Sequence, residues 1–202
     1  MKTAVIGTGY VGLVQGVIMA DFGADVICMD IDKEKIEILK KGIVPIFEPG
    51  LQELLTKNIK AKRIKFTTDM KTAVENSDVI FIAVGTPPAE DGSADLKYVL
   101  SAAQEIGKFI NGYKVIVNKS TVPVGTGKLV KETVQKILNE RKADFQFDIV
   151  SNPEFLREGK AVGDCQRPDR IVIGYENEKA REIMKKVYDV LFINETPFIF
   201  TN

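Results

Sequence analysis

A doubly wound α/β sheet, mostly parallel and covered by helices on both faces, follows from three observations on this 202-residue chain. Short β-branched runs alternate with helix-period segments, which argues parallel strands joined by helical crossovers. One run, Asp78 to Val84, is almost uniformly apolar, as a strand buried on both faces of a parallel sheet must be. The first strand runs directly into Gly7-x-Gly9-x-x-Gly12, and the second ends in an acid, Asp30, eighteen residues after Gly12.

That arrangement is the dinucleotide fingerprint of a Rossmann-type fold. Gly7 allows the tight strand-to-helix turn, Gly9 lets the backbone approach a pyrophosphate, and Gly12 lets the helix pack closely on the strand. Free N–H groups at the helix start are expected to hold the phosphates. Asp30 is placed to accept from a ribose 2′-hydroxyl and to repel the 2′-phosphate of NADP, so NAD is the expected cofactor.

Composition narrows the class. Lys plus Arg is 28 and Asp plus Glu is 28, so the formal charge is zero and nucleic-acid binding loses its main electrostatic footprint. The absence of histidine removes His-based proton relays and His metal sites, and no metal is expected. Met1-Lys2 leads straight into the first strand with no signal-peptide pattern, and Cys28 and Cys165 are far apart, which fits a reducing cytoplasm. No apolar run approaches the length of a membrane span. One domain over residues 1–202, with strand-helix units added to the dinucleotide fold, is the expected organisation.

In chain order, a strand from Thr3 to Ile6 precedes a helix over about 10–22, closed by Gly23, and a strand ending at Asp30. Asp32 opens a charged helix carrying Ile36 and Leu39 on one face and closing at Gly42. Lys35, one turn into it, is either a contact at the adenosine end of the cofactor or a solvated surface lysine. Phe47 to Leu51 form a turn opening a helix to about Asn58; a strand over 63–67 follows, then a small helix capped by Asp69. The buried strand stops at Gly85, and because ligands bind at the carboxyl ends of such strands, Thr86 is a candidate cofactor contact. Its alternative role is only to end the strand. A polar loop over Glu90 to Asp95, with Asp95 as N-cap, leads into a helix to about Ile110. The strand from Lys114 to Asn118 directs the hydroxyls of Ser120 and Thr121 at the ligand edge, before a helix over 127–141. Strands over 148–150, 170–174 and 198–200 and a helix over 178–191 complete the pattern.

Six stretches, Ile6–Leu13, Phe47–Leu51, Val84–Pro87, Lys119–Thr126, Asn152–Gly159 and Arg167–Gly174, resemble in this order the nucleotide-sugar 6-dehydrogenases of UDP-glucose and GDP-mannose type. The last stretch looks most like the UDP-glucose branch. The resemblance implies an enzyme that oxidises the sugar 6-hydroxyl to a carboxylate in two steps with two NAD⁺ and no metal. The family traps the aldehyde on a cysteine thiolate as a thiohemiacetal, oxidises that to a thioester and hydrolyses it. By matching motifs, Gly7, Gly9, Tyr10, Val11, Gly12, Asp30, Lys35, Thr86, Ser120, Thr121 and Glu158 would contact NAD. Glu154, Phe155, Leu156, Arg157 and Glu158 would line the sugar-nucleotide site. Thr121, Glu154 and Glu158 are the expected catalytic residues, Glu154 resembling the family's general base and Thr121 the residue that positions a water. Family members are usually dimers or larger.

Spacing bears on part of that assignment. Glu154 and Glu158 are four apart after a proline turn, so on a helical turn both carboxylates would share one face. Two neighbouring acids could then divide proton-transfer roles. Alternatively both are first-turn acids favoured by a helix dipole, with Arg157 as their counter-charge.

The chain also departs from the family pattern. The family's catalytic cysteine lies in a glycine-rich motif of a second, nucleotide-binding half, and a lysine on the connecting helix takes part; neither motif occurs here. Cys28 reads as strand packing and Cys165 as incidental. The resemblance therefore implies an amino-terminal half that binds NAD but does not complete the oxidation alone, with the carboxyl-terminal nucleotide-sugar-binding domain absent. Alternatives are the same half of a GDP-mannose or UDP-N-acetyl-sugar 6-dehydrogenase, a non-catalytic NAD-binding module, and another Rossmann dehydrogenase such as a 3-hydroxyacid type.

Overall fold

A computed structural model describes residues 1–89, 92–192 and 196–201, with Phe192 described in its main chain only. Glu90 and Asp91 of the expected polar loop lie outside the described residues. The elements run β1 (Lys2–Ile6), α1 (Tyr10–Asp21), β2 (Asp25–Met29), α2 (Lys33–Lys40), α3 (Leu51–Lys60), β3 (Ile64–Thr67), α4 (Met70–Glu75), β4 (Val79–Ile82) and α5 (Lys97–Phe109). They continue with β5 (Lys114–Asn118), α6 (Thr126–Glu140), β6 (Phe147–Ser151), α7 (Ala161–Gln166), β7 (Ile171–Tyr175), α8 (Glu178–Val187), α9 (Asp189–Phe192) and β8 (Phe198–Thr201).

The strands form one sheet in the order β3-β2-β1-β4-β5-β6-β7-β8. Strand order reverses direction between β1 and β4, which opens a crevice at their carboxyl ends, the place where such sheets bind ligands. Neighbours from β3 to β6 pair in parallel, β6 and β7 pair antiparallel through Val150–Tyr175 and Ser151–Gly174, and β7 and β8 return to parallel. The antiparallel step positions the site. Because only the carboxyl ends of β6 and β7 pair, the chain from Asn152 to Arg170 stays over the carboxyl edge of the sheet instead of crossing back to its other end.

Side chains alternate across the strands into two cores. Val5, Cys28 and Phe81 face α1, α3, α7 and α8, while Ala4, Ile6, Ile80 and Ile82 face α4, α5 and α6. The expected strands are all present and the helix caps largely agree: Asp32 accepts from Lys35 N and Asp69 from Lys71 N. Three local expectations are corrected. Asp95 is not the N-cap of α5; Leu96 is, and Asp95 Oδ1 accepts from Lys97 N at 2.9 Å in a side-chain turn. The helix expected over 178–191 breaks at Tyr188, whose side chain turns into the interior. Glu154 and Glu158 lie on no helix; the chain is irregular from Asn152 to Arg157, and the only nearby helix among the described residues, α7, starts at Ala161.

Candidate cofactor groove and reaction cavity

Three adjoining cavities run along the carboxyl edge. The widest, ≈ 760 Å³, lies over β1, β2 and β4 and includes Gly7, Asp30, Lys35 and Val84. It shares Gly9, Ala83, Val84 and Gly85 with a cavity of ≈ 200 Å³ lined also by Tyr10, Val11, Thr86, Ser120, Thr121 and Glu154. Lys119 and Glu154 then form the common wall with an inner cavity of ≈ 130 Å³.

The fingerprint glycines do different things. A Cβ on Gly12 would stand 2.0 Å from the Gly7 carbonyl oxygen, and one on Gly7, where φ is +99°, would stand 2.6 Å from the Ala83 oxygen. Both glycines are fixed by packing of β1, α1 and β4. At Gly9 no atom lies within 4 Å of that position. Its bareness therefore serves no internal contact and leaves room beside the start of α1. No side chain caps that helix and no acid occupies its first turn, so its leading N–H groups remain available to an anion. This open cradle fits the pyrophosphate of a dinucleotide.

Asp30 is more committed than its position in sequence implied. Its Oδ2 accepts the main-chain N–H and the hydroxyl of Thr8, each at 2.7 Å, and its Oδ1 accepts Asp32 N at 3.1 Å. Burial opposes its ionisation, but these hydrogen bonds and Lys35 together bring the carboxyl below its ordinary value. Lys35 Nζ lies 3.4 Å from Asp30 Oδ2 and lines the wide cavity, joining the two residues assigned to the adenosine end.

At the other end, Thr86 Oγ1 donates to the Thr121 carbonyl at 2.9 Å, and Ser120 Oγ donates to the Val84 carbonyl at 2.7 Å. The loops after β4 and β5 are thus laced together, leaving Thr121 exposed with its side chain at the cavity. The structure brings Tyr10, Val11, Thr86, Ser120, Thr121 and Glu154 around one space. Glu158 is exposed and lines none of the three cavities.

The segment from Asn152 to Gly159 is held by hydrogen bonds to distant residues. Glu154 Oε2 turns back to accept Leu156 N at 2.6 Å. Arg157 is not the counter-charge of the two glutamates: its guanidinium and main-chain N–H both donate to the Asp164 carboxylate, with Nη2 2.6 Å from Oδ1. Phe155 lies under Arg170, whose guanidinium carbon is 4.4 Å from the ring centroid, and Leu156 packs on the core.

Sequence reasoning missed four buried polar groups. Thr8 is the partner of Asp30. Glu48 accepts the Tyr10 hydroxyl, Gly159 N at 2.9 Å and Val162 N at 3.2 Å, clamping the fingerprint to the segment before α7. Burial, with Glu48, pushes the Tyr10 phenol up to about 12, so it remains a donor. Asn152 and Lys119 are the others, Lys119 donating to Asn152 Oδ1 at 3.2 Å. Glu48 and Lys119 stand inside motif stretches, and for Lys119 a lysine directly after a buried apolar strand was the available signal.

Neither cysteine is a ready nucleophile. Burial pushes the Cys28 thiol up to about 12 and the Cys165 thiol equally to about 12, so both stay protonated near neutrality. Cys28 packs against Gly16, where a Cβ would stand 2.5 Å from its sulfur. Among the described residues no group of three or more His, Cys, Asp and Glu could hold a metal, and no helix is long and apolar enough to cross a membrane.

Residues 1–192 match the model of the UDP-glucose/GDP-mannose dehydrogenase family, NAD binding domain. The chain is 54% identical to a UDP-glucose 6-dehydrogenase of Rhizobium meliloti (strain 1021), over all of this chain and 46% of that protein. Among solved structures, a UDP-glucose dehydrogenase from the hyperthermophilic archaeon Pyrobaculum islandicum matches with a TM-score of 0.93 and 40% identity, over all of this chain and 46% of that one. A GDP-mannose dehydrogenase from Pseudomonas aeruginosa, solved as a ternary complex, matches with a TM-score of 0.93 and 35% identity, again over all of this chain and 46% of that one. The chain therefore spans a little under half the length of these relatives.

Proposed function

Because the chain belongs to the UDP-glucose/GDP-mannose dehydrogenase family and carries its NAD-binding domain, we propose that it is the cofactor-binding part of a UDP-glucose 6-dehydrogenase, which converts UDP-glucose to UDP-glucuronate with two NAD⁺. NAD, when bound, supplies the acceptor for the electrons removed from the sugar. The rest of the chemistry assigned to this chain is binding, orientation and proton handling.

The first-turn N–H groups of α1, beside Gly9, receive the pyrophosphate. Asp30 accepts from the adenosine ribose through the lone pairs that Thr8 and Asp32 leave free, with Lys35 alongside. Val11, Ser120 and Thr121 form the wall at the nicotinamide end. The Thr121 hydroxyl orients a water, and Glu154 takes its proton during hydrolysis of the acyl intermediate; Oε1 serves, since Oε2 is occupied by Leu156 N. Phe155, Leu156 and Arg157 border the sugar nucleotide, and Glu158 contributes from the exposed side near Tyr10. The observation that carries this reading is the single cavity in which Thr121 and Glu154 meet the fingerprint residues Gly9, Tyr10 and Val11.

UDP-glucose is preferred to GDP-mannose because identity to the Rhizobium enzyme exceeds that to the GDP-mannose enzyme. Turnover is assigned to the full-length enzyme, which forms a homodimer or larger assembly in the cytoplasm. The chain is tested by calorimetric titration with NAD⁺ beside NADP⁺, and by assay with UDP-glucose and NAD⁺. Saturable NAD⁺ binding, weak NADP⁺ binding and no sustained NADH production are expected. Absence of NAD⁺ binding sinks the reading, and sustained NADH production sinks the assignment of turnover to a longer chain.

A further inference from the structure

Lys119, directly after β5, is 6% exposed, and its ammonium has one hydrogen-bond acceptor among the described residues, Asn152 Oδ1 at 3.2 Å. That acceptor is itself fixed: the Tyr188 hydroxyl donates to it at 2.5 Å, and Asn152 Nδ2 donates to the Val172 carbonyl at 2.8 Å. An ammonium carries three N–H bonds, so two remain without an acceptor among the described residues. A buried cation in that condition is costly, and it is retained beside a cavity when a ligand completes it.

The groups that face it sharpen the point. Cys165 of α7 is held as a neutral thiol, and burial raises the Tyr188 phenol far above the range in which it could ionise. Glu154 is the remaining acid that acts on Lys119, and no ion pair joins them among the described residues. Asp164, at the rim, is taken by Arg157. Burial pushes the Lys119 amine down to about 8, with the Glu154 carboxylate only partly offsetting that cost. Lys119 and Glu154 are also the only two residues common to the reaction cavity and the inner cavity, so the unsatisfied donors stand at the junction of the two.

We propose that the Lys119 ammonium, anchored on Asn152, is a carboxylate-binding group that receives the newly formed carboxylate of the oxidised sugar. Two free N–H bonds and one positive charge match a carboxylate and offer less to the neutral hydroxyl that precedes it. Thr121 and Glu154, which position and deprotonate the hydrolytic water, border the same wall, so the acid forms where Lys119 can take it. The identity of the carboxylate rests on the function proposed above; the anion site itself does not.

The test is NMR titration of the chain labelled at lysine Cε, with acetate as the probe and chloride at equal ionic strength as control. Lys114 is the internal reference, since it is buried at the opposite end of β5 and donates to the Ser77 carbonyl at 2.5 Å. Lys119→Met identifies the resonance, and if that chain does not fold, Lys114→Met identifies it by elimination. Acetate is expected to raise the Lys119 midpoint saturably from about 8 and to leave Lys114 unmoved. No saturable shift, an equal shift in chloride, or an equal shift at Lys114 overturns the proposal, the last two meaning an adventitious ion only. NAD⁺ titration of the same sample separates the two ideas: NAD⁺ binding without an acetate response removes only the carboxylate site. An acetate response without NAD⁺ binding keeps the anion site and removes the dehydrogenase reading.

Discussion

Asp30 and Thr8 are joined twice, the carboxylate Oδ2 accepting both the main-chain N–H and the hydroxyl of Thr8 at 2.7 Å. The acid that follows β2 therefore also fastens the turn that follows β1. In the proposed function, cofactor selection and the shape of the turn after β1 would depend on the same side chain.

An Asp30→Ala substitution should consequently do more than remove a ribose contact. It orphans a Thr8 hydroxyl that is 1% exposed, and loss of such charge-assisted bonds costs about 1–3 kcal/mol. Lower NAD⁺ affinity by calorimetry and a lower thermal midpoint are expected together; an unchanged midpoint would mean that the turn holds itself. Acid should have the same effect. The folded carboxyl lies below its ordinary 3.8, so its contribution is present above that value and is lost as pH falls through the folded value. Wild type and Asp30→Ala should thus converge in stability at low pH.

Gly9 and Gly12 should separate folding from binding. Gly12→Ala drives a Cβ to 2.0 Å from a main-chain oxygen that cannot move without shifting β1, a clash worth about 3 kcal/mol or more. Gly9→Ala meets nothing within 4 Å, and its φ of −68° suits any residue. Thermal unfolding should find Gly9→Ala near wild type and Gly12→Ala strongly destabilised, with NAD⁺ binding weakened in both. Wild-type affinity in Gly9→Ala would show that the space beside it is not used by the cofactor.

Glu48 should control the segment that bears Glu154. Its carboxylate receives Tyr10, Gly159 N and Val162 N while only 6% exposed. Glu48→Ala leaves those donors without their acceptor, a loss of about 2–4 kcal/mol. Amide hydrogen exchange should accelerate at Gly159 and Val162 beyond any change in the distant β3. Uniform acceleration throughout the chain would reduce Glu48 to a general stability residue.

Lys119→Met should stabilise the chain at neutral pH, by about 1–3 kcal/mol, because a buried, incompletely paired ammonium is replaced by an apolar side chain of similar length. The pH dependence follows from the direction of the shift. With a folded value of about 8 against 10.5, the folded chain releases this proton first, and the unfolded chain binds more protons between the two values. Wild-type stability relative to the variant should therefore rise across that window, closing the gap above it. Denaturant unfolding at pH 7 and above pH 10 reads both limbs; a variant less stable at pH 7 would mean the amine is fully paired inside.

The fold was legible because its signals are local. Alternating β-branched runs and helix periods located the strands, and the glycine spacing located the turn after β1, since each depends on residues within a few positions of one another. The segment from Asn152 to Gly159 was misread for the complementary reason. A four-residue spacing of Glu154 and Glu158 suggests one helical face, but the chain there is held by Glu48, Asp164 and Val172 rather than by its own periodicity. Likewise Tyr188 interrupts an otherwise regular helical pattern to reach Asn152, thirty-six residues away.

By itself the sequence determined a doubly wound sheet, a dinucleotide cradle, an acid suited to NAD and the cluster of motifs around Thr121 and Glu154. Tertiary structure decided which polar groups meet: Thr8 with Asp30, Tyr10 and Gly159 with Glu48, Lys119 and Tyr188 with Asn152, Arg157 with Asp164. Those pairs span from 7 to 111 positions and are created by the strand order and by the antiparallel β7, which holds the chain after β6 over the carboxyl edge. Periodicity reports which face of an element is buried. It carries no information on which distant donor will satisfy a buried acceptor, because that partner is chosen only when the sheet has assembled.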